Sequence, residues 1–116
     1  MATRLSSQDK AWRAISEKDW QNRVEQLALF LGWKYYHAPD NRPVHGRIQK
    51  VVAGFPDCVL VKGNRLIFAE LKKEVGVVSE AQQLWMDALE ATGAEVYVWR
   101  PSQMREVQQI LGQKIA

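Results

Sequence analysis

The chain has 116 residues, which suits one domain of ordinary size with a modest core. Hydrophobic content of 47% and charged content of 25% indicate a soluble globular chain, and no run approaches the roughly 20 apolar residues of a membrane span. A single cysteine, Cys58, excludes an internal disulfide and a cysteine-rich zinc site. The net charge of +3 is compatible with a polyanionic partner without requiring one.

Residues 1–15 are expected to be a leader: Met1 to about Gln8 as a flexible segment without the apolar core of a secretory signal, then Asp9 to Ile15 as a short helix or an extension of the next. An intracellular, cytoplasmic location follows from this and from the cysteine count. From Ser16 to Leu31 the pattern is helical, with Trp20, Val24, Leu27 and Leu31 at spacings of three and four. Ser16 with Asp19 forms an N-terminal cap arrangement, and Gly32 ends the helix. Glu17 lies roughly 40° from the centre of the apolar stripe, and Glu25 about 120° away, facing water. Glu17 either borders a site or serves only as an acid in the first turn, where the helix dipole favours it. Gln21, one turn on, either lines the same site or is simply a surface residue.

Trp33 to His37 reads as a strand, with one of Tyr35 and Tyr36 directed to the core. Ala38 to Ala53 follows as a long basic loop holding Arg42, His45, Arg47 and Lys50. Loops of this length are commonly functional, and this one enters the next strand at Gly54. It either grips a phosphate backbone or is simply solvated.

Phe55 to Lys72, FPDCVLVKGNRLIFAELK, is the most informative stretch. Two apolar runs flank Lys62-Gly63-Asn64-Arg65, a hairpin signal. A two-residue turn places Val61 opposite Leu66, Val59 opposite Phe68 and Asp57 opposite Glu70. Opposed residues share a sheet face, with Cβ atoms about 4.5–5.5 Å apart. Lys72 joins that face by the period of two, while Lys73 points to the other and to solvent. Two opposed carboxylates repel unless a cation offsets them, and hard divalent cations prefer oxygen ligands.

Lys73 to Val78 is a loop, and Ser79 to about Thr92 a helix with Leu84, Ala88 and Leu89 inward. Ser79 and Gln82 form an S-x-x-Q capping box, which competes with any site role for Gln82, since one side chain does not easily serve both. Trp85 reads as core. After Gly93, Glu95 to Arg100 is a fourth strand, and Pro101 to about Leu111 a last helix with Met104, Val107 and Leu111 inward. Arg105 and Lys114 face solvent by default. The first three strands form a meander, and the helix at residues 79–92 is a crossover to the fourth.

Pro56-Asp57 followed by Glu70-Leu71-Lys72 resembles the PD-(D/E)xK nuclease signature, and the wider pattern resembles the VRR-NUC domain, including its small stand-alone phage-type members. Gly54, Gln82, Trp85, Gly93 and Trp99 fall at the family's spacings, and the likeness covers about Ser16 to Leu111. It implies an α/β, restriction-endonuclease-like core: a mixed four-stranded sheet flanked by helices, αβββαβ plus a C-terminal helix, with residues 16–116 as one nuclease domain. It implies a metal-dependent endonuclease acting on DNA, with Asp57, Glu70 and the Leu71 carbonyl on Mg²⁺ or Mn²⁺. Glu17, matching the family's first-helix glutamate, would help to hold the metal directly or through water, and Gln82 would lie near the metal and the lysine. Lys72 would orient the attacking water or stabilise developing charge. The alternative for Lys72 is a simple salt bridge to Glu70. Small members of the family cut branched DNA such as Holliday junctions, which would call for a homodimer. A non-catalytic nucleic-acid-binding module and a sequence-specific restriction-type endonuclease are the competing readings.

Overall fold

The computed structural model describes residues 4–38, 43–44, 47–48 and 53–113. Helix α1 runs Ser7–Ala14, α2 Glu17–Phe30, strand β1 Lys34–His37, β2 Pro43–Val44 and β3 Arg47–Ile48. Then come β4 Cys58–Lys62, β5 Arg65–Leu71, α3 Glu80–Glu90 and β6 Glu95–Trp99, followed by a 3₁₀ turn Pro101–Gln103 and α4 Met104–Gly112.

The main sheet has the order β1-β4-β5-β6. The first two pairings are antiparallel, and β5 pairs with β6 in parallel across the α3 crossover. This is the mixed four-stranded α/β layout expected from the sequence. The hairpin register is as read: Val61 opposite Leu66, Val59 opposite Phe68, Lys62 opposite Arg65. Gly63 supplies the positive φ of 59° that the tight turn needs.

Helix α1 is a separate element. Its N-cap Ser6 and Asp9 form a reciprocal box, so ordered structure begins inside the segment read as a flexible leader. Extended backbone at Ile15 and Ser16 separates it from α2, whose cap is the predicted Ser16 hydroxyl accepting from the Asp19 N–H. Gly32, at φ 87°, stops α2, and the Trp33 N–H returns to the Ala28 carbonyl. The long segment after β1 contains a small antiparallel pair, β2 with β3. The expected phosphate grip by Arg42, His45, Arg47 and Lys50, and the surface role of Lys114, otherwise fall outside the described residues.

The core lies between one sheet face and α2 with α4: Trp20, Val24, Ala28, Leu60, Ile67, Ala69, Leu71, Trp99, Val107 and Leu111 are buried. Two of the three buried indoles in this core are satisfied, whereas Trp99 Nε1 is buried without a hydrogen-bond partner among the described residues. Trp20 Nε1 donates to the Trp99 carbonyl at 2.9 Å, and Trp33 Nε1 to the Leu111 carbonyl at 2.8 Å. The other face carries α3, where Phe55 packs edge-on against Phe68 and Trp85. Here the sequence reading needs correction. Leu84 is 63% exposed and Ala88 is exposed, whereas Met86 is buried and Gln82, Trp85 and Leu89 are half-buried. The helix is rotated because Gln82 and Trp85 both have partners on the sheet side.

Candidate active site

Asp57 is the last residue before β4. The ladder ends at Cys58 opposite Ala69, so Asp57 and Glu70 are not a ladder pair, as the hairpin count had them. Instead the Asp57 side chain reaches across: Oδ2 accepts the Leu71 backbone N–H at 2.9 Å, while the Asp57 carbonyl accepts the Ala38 N–H at 2.7 Å. The chain leading into Asp57 passes close to α3 at Gly54. There φ is 84°, and a Cβ would lie 2.4 Å from the Ala81 backbone carbon. Only glycine lets this strand entry press so close to the first turn of α3.

Glu70 sits near the end of β5 with 1% exposure. Its Oε1 accepts from Gln82 Nε2 at 2.8 Å and lies 3.8 Å from the Lys72 ammonium. Its Oε2 is buried without a hydrogen-bond partner among the described residues. Burial, and then the neighbouring Asp57 carboxylate, push its pKa up to about 8, against the opposing pull of Lys72. Lys72 follows the strand end. Its backbone N–H bonds to the Trp99 carbonyl at 3.0 Å, the same oxygen that holds Trp20, which fixes the residue against the core.

Gln82 makes the cap and the contact to Glu70 at once. Its Oε1 accepts the Ser79 N–H at 2.9 Å, its backbone N–H donates to Ser79 Oγ at 3.1 Å, and its Nε2 holds Glu70. The amide has an acceptor end for the cap and a donor end for the site, so one side chain suffices.

The structure therefore gathers Asp57, Glu70, Lys72 and Gln82. Glu17 is exposed at the start of α2 and lines a cleft with Lys72. It does not converge with the two carboxylates, since among the described residues no three of His, Cys, Asp and Glu cluster closely enough to hold a metal ion. Lys73 is exposed as expected, but β5 ends at Leu71, so the alternation fails beyond it and Lys73 lines the same cleft as Lys72. Cys58 is a buried thiol donating to the Ala69 carbonyl, pushed up to about 12 by burial, and is inert core. Two contributors were missed in the sequence: Arg13, on the cleft wall, and Arg100, which pins the segment after β5.

The donor set suits a hard divalent cation. A buried carboxylate oxygen without a partner, next to a second carboxylate, is the arrangement a metal satisfies and a neutral interior does not. Among the described residues no helix is long and apolar enough to cross a membrane. The family model described as VRR-NUC domain matches residues 7–103, most of the chain. No curated protein and no solved structure matches.

Proposed function

The chain belongs to the VRR-NUC domain family, a nuclease-type, DNA-acting domain, and on that premise we propose that it is a divalent-metal-dependent endonuclease hydrolysing DNA phosphodiester bonds. The observation that carries the reading is the partnerless, buried Oε2 of Glu70 beside Asp57. These two carboxylates would hold Mg²⁺ or Mn²⁺, with the Leu71 carbonyl as a further oxygen; magnesium takes only one or two carboxylates and completes its shell with water and phosphate. A bound ion would supply Lewis acidity toward the scissile phosphate and would lower the pKa of a water at the site.

The protein's own groups do the rest. Gln82 fixes the Glu70 carboxylate in one rotamer. Lys72, tied to Glu70 at 3.8 Å, is placed to orient the attacking water and to stabilise charge developing on the phosphate. The salt bridge and the catalytic role are then two states of one side chain. Glu17, across the cleft from Lys72, would act through water rather than in direct contact.

The preferred substrate is proposed to be branched DNA, cut by a homodimer, because one chain carries one site and two strands need two. Exposed Leu84 on α3 is a candidate interface residue.

The test is cleavage of labelled single strand, duplex, flap and four-way junction with Mg²⁺, Mn²⁺ or EDTA, by wild type, Asp57→Ala, Glu70→Ala and Lys72→Ala. Metal-dependent cutting that each substitution abolishes, with folding retained, is expected. Tight binding without cutting would move the reading to a binding module, and normal activity in Asp57→Ala or Glu70→Ala would sink the site assignment.

A further inference from the structure

The junction between α1 and α2 faces the segment after β5, and together they enclose a cleft of about 540 Å³. Lys72 lines it, and the Lys72 ammonium lies 3.8 Å from Glu70 Oε1, so the cleft adjoins the carboxylate site through this side chain. Its other charged walls are Arg13, Glu17 and Lys73. Three cationic side chains therefore face a single carboxylate.

The cations of this protein divide into two groups. Some are committed to the fold: Lys62 donates to the Leu31 carbonyl at 2.7 Å, Arg65 pairs with Glu95, and Arg100 is spent on backbone carbonyls. Arg13 is exposed and makes no hydrogen bond or ion pair among the described residues. Acidic partners are near: Asp9 is one turn earlier on α1, and Glu74 lines the adjoining hollow with Arg13. The Lys73 ammonium is likewise unpaired among the described residues, although its backbone carbonyl is held by Arg100.

The walls that carry these free charges are fixed. Arg100 Nη1 donates to the carbonyls of Lys73, Glu74 and Gly76 at 2.9, 3.2 and 2.7 Å, and Glu74 Oε1 accepts the Ser102 N–H at 3.0 Å. On the opposite side, Ser6 and Ser16 cap the two helices whose junction forms the wall. Fixed backbones bearing uncommitted cations form a preorganised anion site, since binding then costs little loop ordering.

We infer that this cleft binds the phosphodiester backbone of the DNA strand adjoining the scissile bond, with Arg13 and Lys73 as its phosphate-gripping side chains. The inference rests on the nuclease reading of the adjoining carboxylates. A guanidinium offers a planar fork to phosphate oxygens, and an ammonium offers a point charge. Such contacts position the strand and carry no sequence information. Arg13 and Lys73 are positioning residues for the reaction.

The experiment is fluorescence anisotropy with a fluorescein-labelled duplex in EDTA, over a salt series and on two unrelated sequences. It uses wild type, Arg13→Ala, Arg13→Lys, Lys73→Ala and the double alanine variant, with thermal unfolding as the fold control. Each alanine substitution is expected to weaken binding about five- to tenfold, equally on both sequences. Each should reduce the slope of log K against log salt by about 0.9, and the double variant by about twice that. Arg13→Lys should retain most of the affinity. A double variant with wild-type affinity and slope overturns the cleft assignment, as does a wild type that binds neither duplex. If wild type cuts DNA while the double variant binds as wild type does, the nuclease reading stands and the cleft falls. If the variants lose binding as expected but wild type cuts nothing with Mg²⁺, the cleft stands and the nuclease reading falls.

Discussion

Gln82 Nε2 donates to Glu70 Oε1 at 2.8 Å while the oxygen of the same amide caps the helix that carries it. The cap and the site are therefore mechanically one unit: the first turn of α3 is locked by the atom group that orients the buried carboxylate. The two roles separate by mutation. Ser79→Ala removes one cap bond and leaves Nε2 in place; it is expected to cost about 1 kcal/mol in urea unfolding and to leave cleavage near wild type at a permissive temperature. Gln82→Ala removes both, and cleavage should fall about 10- to 100-fold beyond any stability loss. Equal loss of cleavage in the two variants would mean that only the helix start matters.

Glu70 gives the metal-free protein a pH signature. Its pKa in the fold is raised to about 8 by burial and by Asp57, above the 4.5 of an ordinary glutamate. Between those values the folded protein keeps a proton that the unfolded chain has released, so stability falls as pH rises through this window and is greatest, for this group, below it. Glu95, lowered chiefly by its hydrogen bond to Arg65, has the opposite sign: its contribution is present above the ordinary glutamate value and lost as pH falls below it. In EDTA the melting temperature should decline from mildly acidic to mildly alkaline pH, and Glu70→Gln should flatten the decline. Adding Mg²⁺ should raise the melting temperature more at pH 8 than at pH 6, because the ion binds the deprotonated form. A Glu70→Gln protein that tracks wild type across the window would remove Glu70 as the cause.

Gly54 holds the entry to Asp57 against α3. A methyl group there would meet the Ala81 carbonyl carbon at 2.4 Å and its oxygen at 2.5 Å, on a backbone already at φ 84°. Neither neighbour is a side chain that can swing away. Gly54→Ala is expected to cost at least about 2 kcal/mol in urea unfolding, combining positive-φ strain with overpacking. Because relief requires α3 to move off the sheet, Gln82 should leave Glu70, and cleavage should fall even where the protein stays folded. A variant as stable and active as wild type would show that the close approach is not required.

The hairpin was legible in the sequence because its signals are local: Gly63-Asn64 sets the turn, and the register of Val59, Val61, Leu66 and Phe68 follows by counting. The order of β1, β4, β5 and β6 followed from the same logic with one crossover. The facing of α3 was not legible. Leu84 outranks Gln82 on any hydrophobic scale, yet Leu84 is exposed, because the partner that turns Gln82 inward is on another element. Asp57 and Glu70 were rightly placed together, though through the Leu71 N–H and not through the ladder. The cap of α1 was present as Ser6 and Asp9, a signal that could have been read. Arg13 was beyond reach, since its cleft is assembled from segments far apart in the chain, and only tertiary packing brings them face to face.

Arg100 extends this to the segment that carries Lys73. One guanidinium nitrogen serves three carbonyls, those of Lys73, Glu74 and Gly76, which otherwise have no place in the sheet. A lysine at this position would offer a narrower reach without the planar fork. Arg100→Ala should therefore release the turn between Lys72 and Val77 without unfolding the core, because Trp99, its neighbour in β6, is anchored independently through its carbonyl. Hydrogen exchange is the direct measurement: amides of Glu74, Val75 and Gly76 should exchange much faster in Arg100→Ala, while those of β4 and β5 keep wild-type protection. DNA binding in EDTA should weaken with the loop, in proportion to the disorder imposed on Lys73. Unchanged exchange at Gly76 would show that the turn is held by its own backbone bond from the Gly76 N–H to the Lys73 carbonyl at 3.0 Å, and that Arg100 is dispensable to the cleft.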